Sequence, residues 1–326
     1  MPDRGALTRY AGRVRIGIHS NTGGSLERAA VNAHQVGANT MQIFSASPRM
    51  WRAKPPDKLQ VQILNAARLK HDINPLVIHS NYLINLASPP SATRENSIQA
   101  FRGEIERAII IGADYLVVHP GNYKGLALEQ GMLNVAEAIA LAWRAVDDAQ
   151  KVNPRLTILL ENTAGTTTQL GGDLSELAII QQLASKFVDL PIGFCLDTCH
   201  CHVYGFDLAT VAGFEKLLIT ARETIGLENV PVIHSNDAKA VCGSHTDRHA
   251  NIGTGYIGLE GFRRILNHPD LRAKAFILET PDEEAGGGHL RDIATLKELV
   301  SPKKFSTPKK SSPVGTNAGP KTRRSM

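Results

Sequence analysis

Eight short, β-rich apolar runs punctuate the first 300 residues of this chain, and their spacing limits what it can fold into. They read VRIGIH (14–19), NTMQIF (39–44), LVIHS (76–80), YLVVH (115–119), TILLEN (157–162), IGFCLD (192–197), PVIHSN (231–236) and FILE (276–279). Stretches with helical periodicity lie between them, including 25–37, 97–112 and 135–150. Strands separated by helices pair in parallel, through right-handed crossovers. Eight such units, recurring about every 25 to 45 residues, predict an α/β fold of the closed (β/α)8 or TIM-barrel kind. A doubly wound open sheet is the alternative that the same pattern allows.

The last residues of these runs carry chemistry. The third run ends at His79, the fourth at His119, the fifth at Glu161, the sixth at Asp197, the seventh at His234 and the eighth at Glu279. One strand ending on a histidine is commonly a hydrogen-bonded structural feature. Six in phase would need six buried polar groups with six separate partners, at a cost for each one left unpaired. In a barrel they converge on one face, where sites of this fold are built. Imidazole with carboxylate, and no thiolate, suits Zn²⁺, Mn²⁺ or Fe²⁺ better than Mg²⁺ or Ca²⁺. Three histidines and three carboxylates exceed one tetrahedral ion and can serve two close together. Asp247 and His249, two residues apart in SHTDRHANIGTGYIG (244–258), face the same way if extended and with His200 offer a third donor set. The same segment contains Gly253-x-Gly255-x-x-Gly258, the letters of a dinucleotide-binding loop. That motif requires a strand directly before it, and a polar loop stands here instead. The glycines are expected to let the backbone turn tightly beside the metals.

Composition narrows the setting. No run approaches a membrane span, and the N-terminal MPDRGALTRYAGR lacks the apolar core of a signal peptide, so a cytoplasmic protein without membrane attachment is expected. Cys195, Cys199, Cys201 and Cys242 do not have the paired spacing of a zinc ribbon and are read as thiols near a site. The net charge of +5 is located in the tail: residues 301–326 hold seven basic residues and no acid, so residues 1–300 are mildly acidic. The division expected is a barrel over 1–300 and a disordered basic tail over 301–326, either solubilising or a salt-sensitive tether to nucleic acid.

Together, HSNYLINLASP (79–89), VVHPG (117–121), LLENTAG (159–165), CLDTCH (195–200), VIHSNDAK (232–239), DRHANIGTGYIG (247–258) and LETP (278–281) resemble the endonuclease IV family of apurinic/apyrimidinic endonucleases, a branch of the xylose-isomerase-like barrels. The resemblance covers residues 14 to 300 or so. It implies a DNA-repair enzyme that uses three zinc ions, with Mn²⁺ or Fe²⁺ possible at some positions. Such an enzyme cuts the phosphodiester 5′ of an abasic site in duplex DNA and leaves a 3′-hydroxyl. Carried over, one zinc is held by His79, His119 and Glu161. A second is held by Glu161, Asp197, His234 and Glu279, and a third by His200, Asp247 and His249. Glu161 is the catalytic carboxylate. The resemblance also implies that Arg49, Tyr82 and Leu83 enter the DNA at the lesion, where a missing base makes extrusion cheapest. A departure stands at the first turn, where His19-Ser20-Asn21-Thr22-Gly23-Gly24 has one residue fewer between histidine and glycine pair than the family pattern His-Val-Ser-x-x-Gly-Gly. Two rivals remain: a sugar isomerase or epimerase with one or two metals, and a non-catalytic DNA-binding protein working through the basic tail. A monomer is the default, with no oligomerisation signal in the chain.

Overall fold

In the computed structural model, which describes residues 14–146, 156–282 and 287–301, the eight apolar runs form parallel strands that close on themselves. They are β1 (Arg15–His19), β2 (Thr40–Phe44), β3 (Leu76–His79), β4 (Tyr115–Val118), β5 (Thr157–Glu161), β6 (Ile192–Asp197), β7 (Val232–His234) and β10 (Ala275–Leu278). Two further strands of two residues each, β8 (Asp237–Ala238) and β9 (His249–Ala250), form a separate antiparallel pair. β1 pairs with both β2 and β10, so the first and last barrel strands seal the ring, and the open-sheet alternative is excluded.

Alternation along each strand decides which residues fill the barrel and which meet the helices. Val77, Val117, Leu159, Cys195, Val232 and Ile277 cluster with one another and are fully buried, forming the interior plug. Their strand neighbours, such as Leu76, Ile78, Leu116, Leu160 and Phe276, belong instead to the layer under the helices. Side chains two apart share a face of a strand. The residues two beyond the plug are therefore His79, His119, Glu161, Asp197, His234 and Glu279. The ring of donors is the polar top layer of an apolar stack, and each plug residue contributes about 1.5–3 kcal/mol by leaving water.

The surrounding helices are α1 (Leu26–Gln35), α2 (Lys58–His71), α3 (Ala92–Ile111), α4 (Leu128–Arg144), α5 (Leu174–Phe187), α6 (Thr198–Tyr204), α7 (Val211–Thr224), α8 (Gly258–Asn267) and α9 (Gly287–Leu299). Caps set their starts: Ser25, Asp57, Ser91, Asp173 and Thr210 each accept a first-turn backbone N–H. α3 begins earlier than the expected 97 because Ser91 caps a polar first turn that carries no apolar period. α4 likewise begins at Leu128 and packs Met132, Val135, Ile139 and Trp143 inward. The end of the predicted 135–150 stretch passes, from residue 147, outside the described residues, as does the basic tail from residue 302. Among the described residues no helix is long and apolar enough to cross a membrane.

Candidate metal centre

The CLDTCH stretch is built around one carboxylate. Asp197 closes β6 and caps α6, accepting the backbone N–H of His200 on Oδ1 at 2.9 Å. That bond turns the chain from strand to helix and sets His200 three residues on, at the same mouth. The other oxygen, Oδ2, accepts from Asn236 Nδ2 at 2.6 Å and lies 3.6 Å from His249 Nε2. Asp197 is fully buried, and its charge is answered by neighbours from three segments of the chain.

Among the described residues three donor groups made only of imidazole and carboxylate assemble, the atoms within each lying within 4.8 Å of one another. The first is His79, His119 and Glu161; the second Glu161, Asp197, His234 and Glu279; the third His200, Asp247 and His249. Glu161 joins the first two through different oxygens. Oε2 lies 3.1 Å from His79 Nε2 and 3.0 Å from His119 Nε2, while Oε1 lies 2.9 Å from His234 Nδ1. In the third group Asp247 reaches His200 Nε2 at 3.2 Å and His249 Nε2 at 3.4 Å. All nine predicted donors thus meet at one rim.

The far nitrogens of the histidines choose their tautomers. His79 Nδ1 bonds the Ser80 carbonyl at 2.8 Å, His200 Nδ1 the Asn162 carbonyl at 2.9 Å and His249 Nδ1 the Glu279 carbonyl at 3.2 Å. His234 Nε2 donates to Gln42 Oε1 at 2.8 Å. A carbonyl accepts only a proton, so each of these nitrogens carries the N–H, and the neutral imidazole turns a lone pair to the rim. His249 Nε2 is buried and makes no hydrogen bond among the described residues. Lone pairs converging with carboxylate oxygens form a cation site, and the donor set fits divalent metal ions.

Without ions the same closeness binds protons. Burial would raise Glu161, but His119 and His234 prevail and hold it well below the usual carboxylate range. Burial works likewise against Glu279, and His234, followed by His19, pulls it well below. Burial would lower His200, yet Asp197 and Asp247 push it up to about 10. The cysteines take the opposite course. Burial pushes Cys195 up to about 12, and raises Cys199 and Cys201 as well. Cys199 lies close enough to Asp197 and His249 to share an ion, but its thiol points at the Arg248 carbonyl, 3.7 Å away. A buried thiol beside two carboxylates stays protonated and leaves coordination to the imidazoles.

The glycine-rich loop does turn tightly beside the donors, with Gly253 and Gly258 in the left-handed region (φ 81 and 68), and the turn has a further purpose. Its backbone wraps Asp237 rather than the donors: Gly253 and Gly255 donate to Oδ2 at 2.9 and 3.0 Å, and Ile257 to Oδ1 at 2.9 Å. A Cβ on Gly255 would lie 2.4 Å from the Ala238 carbonyl oxygen, so only glycine fits. The wrapped carboxylate fixes the β8–β9 pair, which brings Asp247 and His249 back over the barrel.

Around the donors lies a cavity of about 340 Å³, also lined by His19, Tyr82, Thr280 and His289. Tyr82 is 72% exposed and rests edge-on against Phe44 at 5.1 Å. Leu83 follows it half-buried, and Arg49 stands exposed in the loop after β2. That loop is tied to the Tyr82 turn by Asn81 Nδ2, which donates to the Met50 carbonyl at 3.5 Å. The structure therefore brings Tyr82 to the donors directly, whereas Arg49 reaches them only through its loop. Reading strand ends from β3 onward missed two groups. His19 closes β1, and Gln42, in the middle of β2, lies beside it in register, two beyond Gly17 and Thr40 respectively. Gln42 Nε2 donates to Glu279 Oε1 at 2.6 Å and to His19 Nδ1 at 3.0 Å. Reading the end of the first run in the same way locates His19, whereas Gln42, an amide in mid-strand, stands out only through its partners.

The model of a family described as xylose isomerase-like TIM barrel matches residues 30–299. A probable endonuclease 4 of Solibacter usitatus is 53% identical over 291 residues, which span 89% of this chain and 98% of that protein. One of Halothermothrix orenii is 40% identical over 82% of this chain and 94% of its own. Among solved structures, endonuclease IV from Thermus thermophilus superposes with a TM-score of 0.76 at 32% identity, covering 87% of this chain and 98% of that one. A D-tagatose 3-epimerase-like protein superposes at 0.60 with 18% identity over 87% and 95%, a likeness of fold alone.

Proposed function

Because the chain belongs to the endonuclease IV branch of the xylose isomerase-like barrels, we propose that its three donor groups hold three zinc ions and that it nicks duplex DNA 5′ of abasic sites. It is an apurinic/apyrimidinic endonuclease, an enzyme of DNA repair whose substrate is DNA. The observation that carries the finer reading is the third group, His200, Asp247 and His249, beside the pair joined by Glu161. A small sugar has no use for a third ion, whereas one placed there would stabilise the charge that develops on the leaving oxygen of a phosphodiester.

Divalent ions held by these donors would supply Lewis acidity, neutralising a phosphate and lowering the pKa of a water toward neutral. The remaining work belongs to the chain. Glu161 stays ionised, spans the first two groups and offers its oxygens to orient the attacking water and accept its proton. The carbonyls of Ser80, Asn162 and Glu279 and the amide of Gln42 hold the imidazoles in their ligating tautomers. Tyr82 and Leu83, with Arg49, wedge into the duplex where the base is missing. Three divalent cations outweigh the four carboxylates of the rim, which reconciles a mildly acidic barrel with a polyanionic substrate. The enzyme acts as a cytoplasmic monomer, a barrel over 1–300 followed by a basic tail over 301–326.

The test is a duplex carrying one abasic-site analogue, incubated with the purified protein. A single nick 5′ of the analogue with a 3′-hydroxyl, and three zinc ions per chain by elemental analysis, are expected. Glu161→Gln should lower cutting at least a thousandfold in a folded protein. Substantial cutting by that variant, or full activity with two ions or fewer, would overturn the mechanism.

A further inference from the structure

Beside the metal mouth lies a second cavity of about 320 Å³, which shares His79, Tyr82 and His119 with the first and differs from it in charge. The mouth carries Asp247 and Glu279, while among the described residues no carboxylate lines the second cavity, whose lysine is Lys124. Lys124 is exposed and has no carboxylate or hydrogen-bond partner among the described residues.

Its backbone is committed to this place. Lys124 has φ 41, in the left-handed region where glycine or asparagine is the cheaper occupant. The turn that imposes it is pinned at both ends: Tyr123 donates to the Thr168 carbonyl at 3.0 Å and Leu126 to the Tyr123 carbonyl at 3.0 Å. The preceding residues are clamped by Asn85, which accepts from the Asn122 N–H at 2.8 Å and donates to its carbonyl at 3.1 Å. Gly121 is packed so closely that a Cβ would lie 2.2 Å from Asn85 Oδ1. A stiff rim thus presents an unpaired cation next to a site for phosphodiester chemistry.

We propose that this second cavity seats the lesion-bearing strand next to the cut, with Lys124 pairing with a phosphate that flanks the one at the metals. The inference rests on the endonuclease reading and names a strand contact within it. The amides of Asn85 and Gln169 on the wall give a sugar-phosphate segment hydrogen-bonding partners without reading its sequence.

The test measures binding of the metal-loaded full chain, in a Glu161→Gln background that does not cut, to the lesion duplex across a salt series. Replacing Lys124 by Gln should shrink the slope of log K against log salt by about 0.9, the share of one phosphate. Lys124→Arg should restore the slope, and Lys124→Gly, which relaxes the backbone, should not. Neutral methylphosphonates placed singly along the strand should weaken binding about fivefold at one flanking position with Lys124 and have no effect there with Gln. In the cutting enzyme Lys124→Gln should raise KM severalfold and leave kcat within about twofold. Equal slopes for Lys and Gln, or identical methylphosphonate profiles, would overturn the inference. If the parent protein fails to prefer the lesion duplex to an intact one, the endonuclease reading itself falls.

Discussion

At the scale of single residues, the centre is a set of lone pairs held in register by groups that touch no ion. Gln42 shows the economy of this. Its amide fixes the orientation of His234 through Oε1 and steadies Glu279 through Nε2. Gln42→Leu removes both bonds and leaves a buried imidazole N–H unpaired, so zinc affinity should fall about 10- to 100-fold, measurable by competition with a chelating dye. A second expectation concerns pH. In metal-stripped protein His79, His200 and His234 titrate above 6.5, so their stabilisation is whole below 6.5 and fades as pH rises through the raised values, about 10 for His200. Glu161 and Glu279 titrate below 4.5, so theirs is whole above 4.5 and fades in acid as pH falls through the lowered values. The stripped protein should therefore melt highest between pH 4.5 and 6.5. The loaded protein, whose ions need deprotonated imidazoles, should melt highest above that window. Thermal melts with and without chelator across the range check both signs. Six of the donors were legible in the sequence because strands present every second residue to one face, while His200, Asp247 and His249 were legible only from their spacing and the resemblance to the family. Gln42 and Asn236 were not, because an amide carries no signature until its partners are seen.

Elements turn these residues into a mouth. The loop bearing Arg49 and the turn bearing Tyr82 are joined from below by a buried set. In it Ser45 donates to Glu104 at 2.5 Å, Arg107 pairs with Glu104 at 3.0 Å and donates to Ser45 at 2.7 Å, and Asn81 donates to Glu104 at 3.4 Å. Removing the carboxylate by Glu104→Ala strands a buried guanidinium, and a loss of about 3–5 kcal/mol is expected by denaturant melt. Faster amide exchange in residues 46–51 and 81–85 should accompany it, with lesion binding weakened more than metal binding. Nothing in the linear pattern of α3 announces this role, since an acid and a base three apart on a helix carry no mark of burial, and Glu104 and Arg107 are both buried. Gly255 belongs at this scale too. Gly255→Ala should displace the wrap around Asp237 and, through β9, cost the third ion, seen as two zinc ions per chain in place of three.

For the whole molecule, closure of the strand ring was foreseeable from count and spacing, because eight strand-helix units over this length have few other ways to bury both faces of a parallel sheet. The role of the basic tail was not, since its composition specifies charge without shape. Deleting residues 301–326 should leave cutting of lesion duplex within about twofold at moderate salt if the rim supplies the phosphate contacts as proposed, while weak binding to intact DNA declines. The plug formed by Val77, Val117, Leu159, Cys195, Val232 and Ile277 has a further effect. Among the described residues it closes the barrel beneath the donors, so on the proposed reading ions and duplex approach from the same face. A chelator and a DNA lesion must then queue at the same threshold, so an enzyme resting on its nicked product should keep its zinc through a chelator challenge that empties the free enzyme.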